Sequence, residues 1–389
     1  MRLCRIQQYG DGLFREICVF MKKVLHYVTL MNRAGEETFI MNVFRNINRD
    51  KVMFDFLVTG EGKGDFDDEI NSLGGKIFHI KLNRISGKLK QLDNVNILRK
   101  KLCEFNGEYD YFHIHTQHAM DAYLSTLAAK MAGIKHVIVH SHNASTIYST
   151  KVHNVFKFFL DQMRITRFAC GNDAGKWMFK NEKFEIINNG INLNNFLYAP
   201  QIRDQIRKEM GWEGKFVIGH IGRFNLQKNH QFLIDAFYKF QKNKTDAILV
   251  LIGDGELRKE IERKVRVLHL EDKVQFLGVR DDVDKLYQAL DLFVFPSLFE
   301  GLPVVLVETQ AADLPCIISD TITDEIVIND NVTALNLESG STVWANEIEK
   351  IYNSDVVRID TSMTMTKAGY NIVNVAKKLE NFYLKGEIS

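Results

Sequence analysis

Short runs of β-branched and aromatic residues alternate with amphipathic stretches along most of this chain. The runs at 24–29, 52–59, 77–82, 111–115, 136–142 and 184–188 read as strands, with helical stretches such as 38–48 and 122–132 between them. Such alternation predicts a parallel sheet wrapped by helices. After Asn189-Gly190 the chain turns irregular over 193–200, and the pattern restarts at 216–221, 247–252, 274–277, 292–295 and 316–319. A second α/β domain therefore begins near Ile202. The last segment, 365–385, places Ile372, Val375, Ala376, Leu379 and Phe382 close to helical spacing.

Residues 1–20 break this order. Gln7, Gln8, Gly10, Asp11, Gly12, Arg15 and Glu16 follow no clear period, and a strand begins directly after Met21-Lys22-Lys23. The expectation is a disordered leader over 1–20 with Met21 as the natural start. The remaining organisation reads as a first domain at 21–200, a second at 201–364 and a terminal helix within 365–389.

Composition narrows the class of protein. The 389 residues are 46% hydrophobic and 25% charged, which is ordinary for a globular chain of two domains. Fifty basic residues against 49 acidic ones argue against a dedicated nucleic-acid binder. The five cysteines, Cys4, Cys18, Cys103, Cys170 and Cys316, form no C-x-x-C pair, which suits a reducing cytosol. No apolar run reaches the roughly 18 residues that span a bilayer. The expected location is therefore cytoplasmic. Charge is uneven all the same: between 76 and 101 stand Lys76, Lys81, Arg84, Lys88, Lys90, Arg99, Lys100 and Lys101 against Asp93 alone. That region is either a solvated face or a peripheral contact with anionic lipid on the inner face of the plasma membrane.

The candidate chemistry sits at strand ends, where open α/β sheets bind ligands. Phe295-Pro296-Ser297-Leu298-Phe299-Glu300-Gly301-Leu302-Pro303 puts one carboxylate in a Gly-Pro loop directly after an apolar strand, and Glu308 follows eight residues later inside a helix. The loop leaves the first N–H groups of that helix free for a phosphate or a sugar hydroxyl. Glu308 offers two acceptor oxygens to a vicinal diol such as a ribose. Arg223 and Lys228 follow another strand end, where two cations are either plain surface charge or partners for an anionic group.

The Glu300-to-Glu308 spacing resembles the Glu-x7-Glu signature of retaining glycosyltransferases of family 4, in their capsule and exopolysaccharide subgroup. Gly222-Arg223-Phe224-Asn225-Leu226-Gln227-Lys228-Asn229-His230 is similar to that family's diphosphate loop, and Asn188-Asn189-Gly190-Ile191-Asn192 to its inter-domain turn. Met31-Asn32-Arg33-Ala34-Gly35-Glu36-Glu37-Thr38 resembles its N-terminal glycine loop, with Ala34 in place of a second glycine. Val139-His140-Ser141-His142-Asn143 resembles its histidine strand end.

The resemblance implies a GT-B fold, an α/β architecture of two Rossmann-like domains facing across a cleft, with the C-terminal helix crossing back to the first. It implies a nucleotide-diphosphate sugar, UDP-linked, as donor and a lipid-linked saccharide as acceptor, with no cofactor and no metal. Arg223 and Lys228 would hold the diphosphate, and Glu300 the sugar hydroxyls, with the Gly301, Leu302 and Pro303 backbone around it. Glu308 would hold the ribose. Gly278 and Val279 would border the nucleobase, Gly222 and Gly35 would let backbone approach the donor phosphates, and His142 would contact a sugar hydroxyl.

Other readings of these residues remain open. His113, His115, His140 and His142 alternate on what should be neighbouring strands and could bind a metal, but no carboxylate or cysteine of comparable spacing joins them. Gly253-Asp254-Gly255 lacks the third glycine of a dinucleotide fingerprint. Gly171 to Lys176 is one residue short of a P-loop. Asp65-Phe66-Asp67 and Asp282-Val283-Asp284 stand where helices should start, so acidic capping accounts for them. A nucleotide-sugar epimerase of the same fold and a sugar-binding protein without catalysis are the competing functions.

Overall fold

The computed structural model describes residues 2–8, 14–83, 88–143, 150–180 and 183–387. The chain divides into two compact units, Met1–Gly190 with Ile372–Ser389, and Ile191–Asn371.

In the first unit, strands β1 (Arg2–Gln8) and β2 (Phe14–Phe20) pair antiparallel, with Arg2 opposite Phe20, and join neither larger sheet. Within the segment expected to be a leader, the two strands pair in one register, with Arg5 opposite Ile17 and Ile6 opposite Glu16. Seven parallel strands follow: β3 (Lys22–Val28), β4 (Val52–Val58), β5 (Ile77–His79), β6 (Tyr111–Thr116), β7 (His136–Ser141), β8 (Thr166–Ala169) and β9 (Glu185–Ile186). Their order is β5-β4-β3-β6-β7-β8-β9. Strands β4, β6 and β7 are buried along nearly their whole length, as a sheet covered on both faces requires. β8 was not evident in the sequence because it is four residues long and contains Thr166 and Arg167.

One face of this sheet packs on the helix Gly35–Asn46 through Phe39, Ile40, Val43 and Phe44. The other face packs on Lys88–Glu104 and Ala119–Met131 through Val95, Leu98, Leu102, Ala122 and Ala129. The helix Ile372–Lys385 returns to the first unit, and Ile372, Val375, Ala376, Leu379 and Phe382 all lie in the same core cluster as Phe39 and Phe44. The Glu380 carboxylate accepts from the Asn48 N–H (3.1 Å), and Lys378 Nζ donates to the Ile186 carbonyl (2.9 Å). The boundaries expected at 200/201 and 364/365 fall instead at 190/191 and 371/372, because the short helix Ser362–Lys367 stays with the second unit.

The second unit holds six parallel strands, β10 (Phe216–Ile221), β11 (Ala247–Ile252), β12 (Val274–Gly278), β13 (Leu292–Phe295), β14 (Cys316–Ser319) and β15 (Val332–Leu335). Their order is β12-β11-β10-β13-β14-β15. The helices His230–Phe240 and Ser341–Tyr352 cover one face with Leu233, Ile234, Phe237, Trp344 and Ile348.

Both sheets share one topological property. The chain lays strands to one side of β3 and of β10, then returns to build outward on the other side from β6 and from β13. Adjacent connections there leave toward opposite faces, which opens a crevice at the carboxyl ends of those two strands. Among the described residues no helix is long and apolar enough to cross a membrane.

Leu379 is 2% exposed in the first unit's core. Leu379→Ala should therefore cost about 2–5 kcal/mol and lower the urea midpoint of the transition that reports the first sheet. Val373, 60% exposed on the same helix, supplies the control: Val373→Ala should stay within about 0.5 kcal/mol. Equal effects from the two substitutions would show that this helix does not complete the core.

Candidate active site

The loops after β10 and β13 flank the crevice of the second sheet, and they are joined at three levels. The Leu298 N–H donates to the Gln227 carbonyl (2.8 Å), Gln227 Nε2 donates to the Phe299 carbonyl (2.9 Å), and Lys228 Nζ meets Glu300 Oε1 at 2.6 Å. The Lys228 and Glu300 side chains are only 15% and 8% exposed, and the ammonium also lies 4.6 Å from the centre of the Phe295 ring. Two residues assigned separately to diphosphate and sugar are thus in direct contact.

Glycine makes the approach possible. A Cβ on Gly222 would stand 3.2 Å from Lys228 Cγ and Cδ, and one on Gly253, whose φ is +129°, would stand 2.2 Å from the Gly222 carbonyl oxygen. Gly253 is therefore a close-packing residue between the ends of β10 and β11. Asn225 Oδ1 accepts from the Lys228 N–H (3.1 Å), and Asn229 adopts the left-handed φ of 54° before the helix His230–Phe240 begins. His220 and His230 support the loop from below: His220 Nδ1 lies 2.8 Å from the Val294 carbonyl, and the His230 ring stacks 4.1 Å from Phe224. Burial keeps both imidazoles neutral, the His220 pKa falling to about 4.

The other assigned residues of this unit stand along the same edge. Arg223 projects into solvent, 71% exposed, with Nη2 3.2 Å from Glu256. Gly278 ends β12 with φ +67° and accepts from the Gly253 N–H (2.8 Å), and Val279 beyond it is 65% exposed. Pro303 precedes the helix Val304–Ala311, whose amino end has no side-chain cap; Gly301 is half-buried and Leu302 buried just before it. Glu308 lies on that helix and accepts from the Tyr287 hydroxyl (3.0 Å). Burial, aided by Asp284, raises its pKa to about 7 against the opposing Tyr287 hydrogen bond. Arg280 is engaged by Asp282 at 2.6 Å.

In the first unit, Gly35 opens the helix after β3. Burial and the adjacent Glu37 push the half-buried Glu36 up to about 8, and burial pushes Glu37 up to about 7. A cavity of about 460 Å³ lies beside them at the ends of β3, β4 and β6, lined in part by Thr29, Glu36, Asn94, His115, Thr116 and Asp121. His142 follows β7 directly and is 7% exposed.

Five imidazoles, those of His26, His113, His115, His140 and His142, cluster on one face of this sheet. His26 Nδ1 is 2.8 Å from His115 Nε2, His115 Nδ1 is 2.9 Å from His142 Nε2, and His113 Nδ1 is 2.8 Å from the Tyr383 hydroxyl. Nitrogens of His26, His113 and His115, and of His115, His140 and His142, fall within 4.8 Å of one another. Both groups depend on His115, whose two nitrogens already face other imidazoles, so the set fits a hydrogen-bonded stack better than a ligand set. Burial lowers all five pKa values, those of His26 and His142 to about 3.

Of the basic region at 76–101, Arg84 lies outside the described residues. Lys81 stands 3.4 Å from Glu61 and Lys101 2.7 Å from Glu104, which offsets part of its charge. Sequence reasoning missed Gln227, Tyr287, His26 and Tyr383. Gln227 sits inside a motif already singled out, whereas the other three join the site through contacts between distant segments.

Residues 202–372 match the family described as glycosyl transferases group 1. The chain is 36% identical to the putative glycosyltransferase EpsF of Bacillus subtilis, covering 93% of this chain and 96% of that protein. It is 25% identical, over 93% of this chain and 96% of the relative, to an Escherichia coli enzyme named UDP-Gal:alpha-D-GlcNAc-diphosphoundecaprenol alpha-1,3-galactosyltransferase. Among solved structures, Anabaena HepE in complex with UDP superposes with a TM-score of 0.72 at 20% identity, covering 92% of this chain and 98% of that one. Its two Rossmann-like domains match the two sheets described above, which makes the fold GT-B. The chain belongs to the group 1 glycosyltransferases, GT-B enzymes of the family 4 type.

Proposed function

We propose that this glycosyltransferase moves a hexose or N-acetylhexosamine, with retention of anomeric configuration, from a UDP-sugar to a lipid-linked oligosaccharide during assembly of a surface polysaccharide such as capsule, exopolysaccharide or O-antigen. The observation that carries the reading is the Lys228–Glu300 contact at the crevice of the second sheet. A part-buried cation and carboxylate that hold each other need replacement partners when a ligand parts them. A sugar diphosphate brings both: phosphate oxygens for Lys228 and hydroxyl donors for Glu300. Relatives named for a UDP-sugar donor, a diphosphoundecaprenol acceptor and capsular polysaccharide biosynthesis support the same class.

In this reading Arg223 turns from Glu256 to the diphosphate, Gly222 and Gly35 admit its oxygens, and the uncapped backbone after Gly301, Leu302 and Pro303 faces it. Glu308 accepts from the ribose, Gly278 and Val279 border the base, and His142 contacts a sugar hydroxyl. The bond from the anomeric carbon to the UDP oxygen breaks with its electron pair going to the phosphate. The acceptor oxygen attacks from the same side, and its proton passes to the departing phosphate. No metal or cofactor takes part. The first unit binds the acceptor, and the basic 76–101 region meets anionic lipid at the inner face of the membrane.

The test is a panel of nucleotide sugars followed by saturation-transfer NMR and UDP release, with wild type beside Glu308→Ala. One UDP-sugar should bind selectively, lose binding in the variant, and release UDP only when a lipid-linked acceptor is added. Isomerised sugar without acceptor would favour an epimerase, and binding without turnover a sugar-binding protein. Arg223→Ala removes a charge-assisted hydrogen bond worth about 1.5–3 kcal/mol, so turnover should fall roughly tenfold to more than a hundredfold; a wild-type rate would refute that role.

The Glu308 pKa of about 7 adds a pH signature. The ribose needs the carboxylate, which is mostly protonated below that value, so UDP-sugar affinity should weaken roughly tenfold from pH 8 to pH 6. Glu308→Gln should flatten this dependence, as measured by calorimetry. An unchanged slope in the variant would place the titrating group elsewhere.

A further inference from the structure

The registers of β3, β6 and β7 set His26 beside His113 and His115 beside His140, and side-chain alternation adds His142 one step beyond the β7 end. Within this cluster His26, His115 and His142 form a chain of two hydrogen bonds, 2.8 and 2.9 Å long. The outer nitrogens of the chain, His26 Nε2 and His142 Nδ1, are buried and without a partner among the described residues.

Neutral imidazole has one N–H and one lone pair. His115 spends both nitrogens on its neighbours, so it must donate to one and accept from the other. The two bonds therefore point the same way, and the three tautomers change only together. If they point inward, the spare N–H is at His26 Nε2, on a ring 2% exposed that lies 4.2 Å from the Phe54 ring and 5.6 Å from Phe56. Among the described residues no hydrogen-bond acceptor meets that nitrogen. If they point outward, the spare N–H is at His142 Nδ1, on the residue that follows the strand's carboxyl end, where ligands approach open sheets. An orphaned buried N–H is among the rarest arrangements in folded proteins, so the direction that lets a ligand oxygen relieve it prevails.

We infer that His26 and His115 are positioning residues that hold His142 as the neutral tautomer protonated on Nδ1, presenting a hydrogen-bond donor to an oxygen of the nucleotide sugar. The identity of that ligand rests on the function proposed above; the direction of the chain does not. The low pKa values produced by burial are consistent with it, because a charged imidazolium would donate at both ends and break the sequence. A His142 so fixed cannot act as a base through Nδ1. Its part is to orient and polarise.

Selective 15N-histidine labelling of the full chain reads this directly, since protonated and bare imidazole nitrogens resonate far apart. Spectra of His142→Gln and His115→Gln supply the assignments. In the wild type, Nδ1 of both His115 and His142 should appear protonated and Nε2 bare. His115→Phe keeps a ring in place but cuts the chain at both ends, so the His142 and His26 nitrogens should move toward averaged, mixed-tautomer positions while histidine signals outside the cluster hold. Protonated Nε2 on His142 in the wild type overturns the proposal. Adding a UDP-sugar should then shift His142 Nδ1. If the tautomer is as stated but the sugar leaves both His142 nitrogens unmoved, the chain of imidazoles stands and the placing of His142 at the donor falls.

Discussion

Much of the second unit is organised around one contact, the ion pair of Lys228 and Glu300 over the ring of Phe295. Removing either partner of such a part-buried pair strands the other charge, which is costly by several kcal/mol when burial is complete. The contact therefore constrains two loops that are 72 residues apart in the chain. Gln227 reinforces the same junction with its backbone and side chain, and Gly222 keeps space beside the lysine stem. Charge, hydrogen bonding and the lack of a Cβ all act to keep the ammonium at the strand end.

The place of that contact follows from topology. Parallel strands must be joined by crossovers, and a sheet that grows first to one side and then to the other leaves a gap where the direction reverses. Here the gap lies between β10 and β13, and the loops that leave those two strands carry Lys228 and Glu300. The first sheet repeats the arrangement between β3 and β6, where the cavity with Glu36, His115 and Asp121 lies. The two units thus use one architectural rule for two chemically different surfaces, one built on a cation–carboxylate pair beside an uncapped helix end, the other lined by carboxylates and imidazoles.

Much of this was legible in the sequence because it is local. Strands β10, β11, β13 and β14 match the expected ranges to the residue, since continuous apolar runs in a doubly covered sheet have sharp ends. β8 and β15 escaped notice at four residues each, the latter partly exposed at the sheet edge. The helix after β3 begins at Gly35, earlier than its apolar period suggests, because its first turn is the polar Glu36-Glu37. The motif residues were legible individually, but the contact between two of them was not. His26 and Tyr383 were invisible for the same reason: their partners come from strands and a helix far along the chain.

The helix Ile372–Lys385 supplies six side chains, Ile372 through Tyr383, to a core whose other members lie before residue 190. A ribosome delivers these only after the whole of Ile191–Asn371. Until then the first-made unit lacks one wall of its interior, while the second unit has all of its own residues in hand sooner. The usual order of amino-terminal domain first is reversed for the finishing step. A nascent chain keeps Phe39, Phe44 and the histidine stack short of their cover until this helix has been made, so burial of that surface waits on synthesis of the entire second unit.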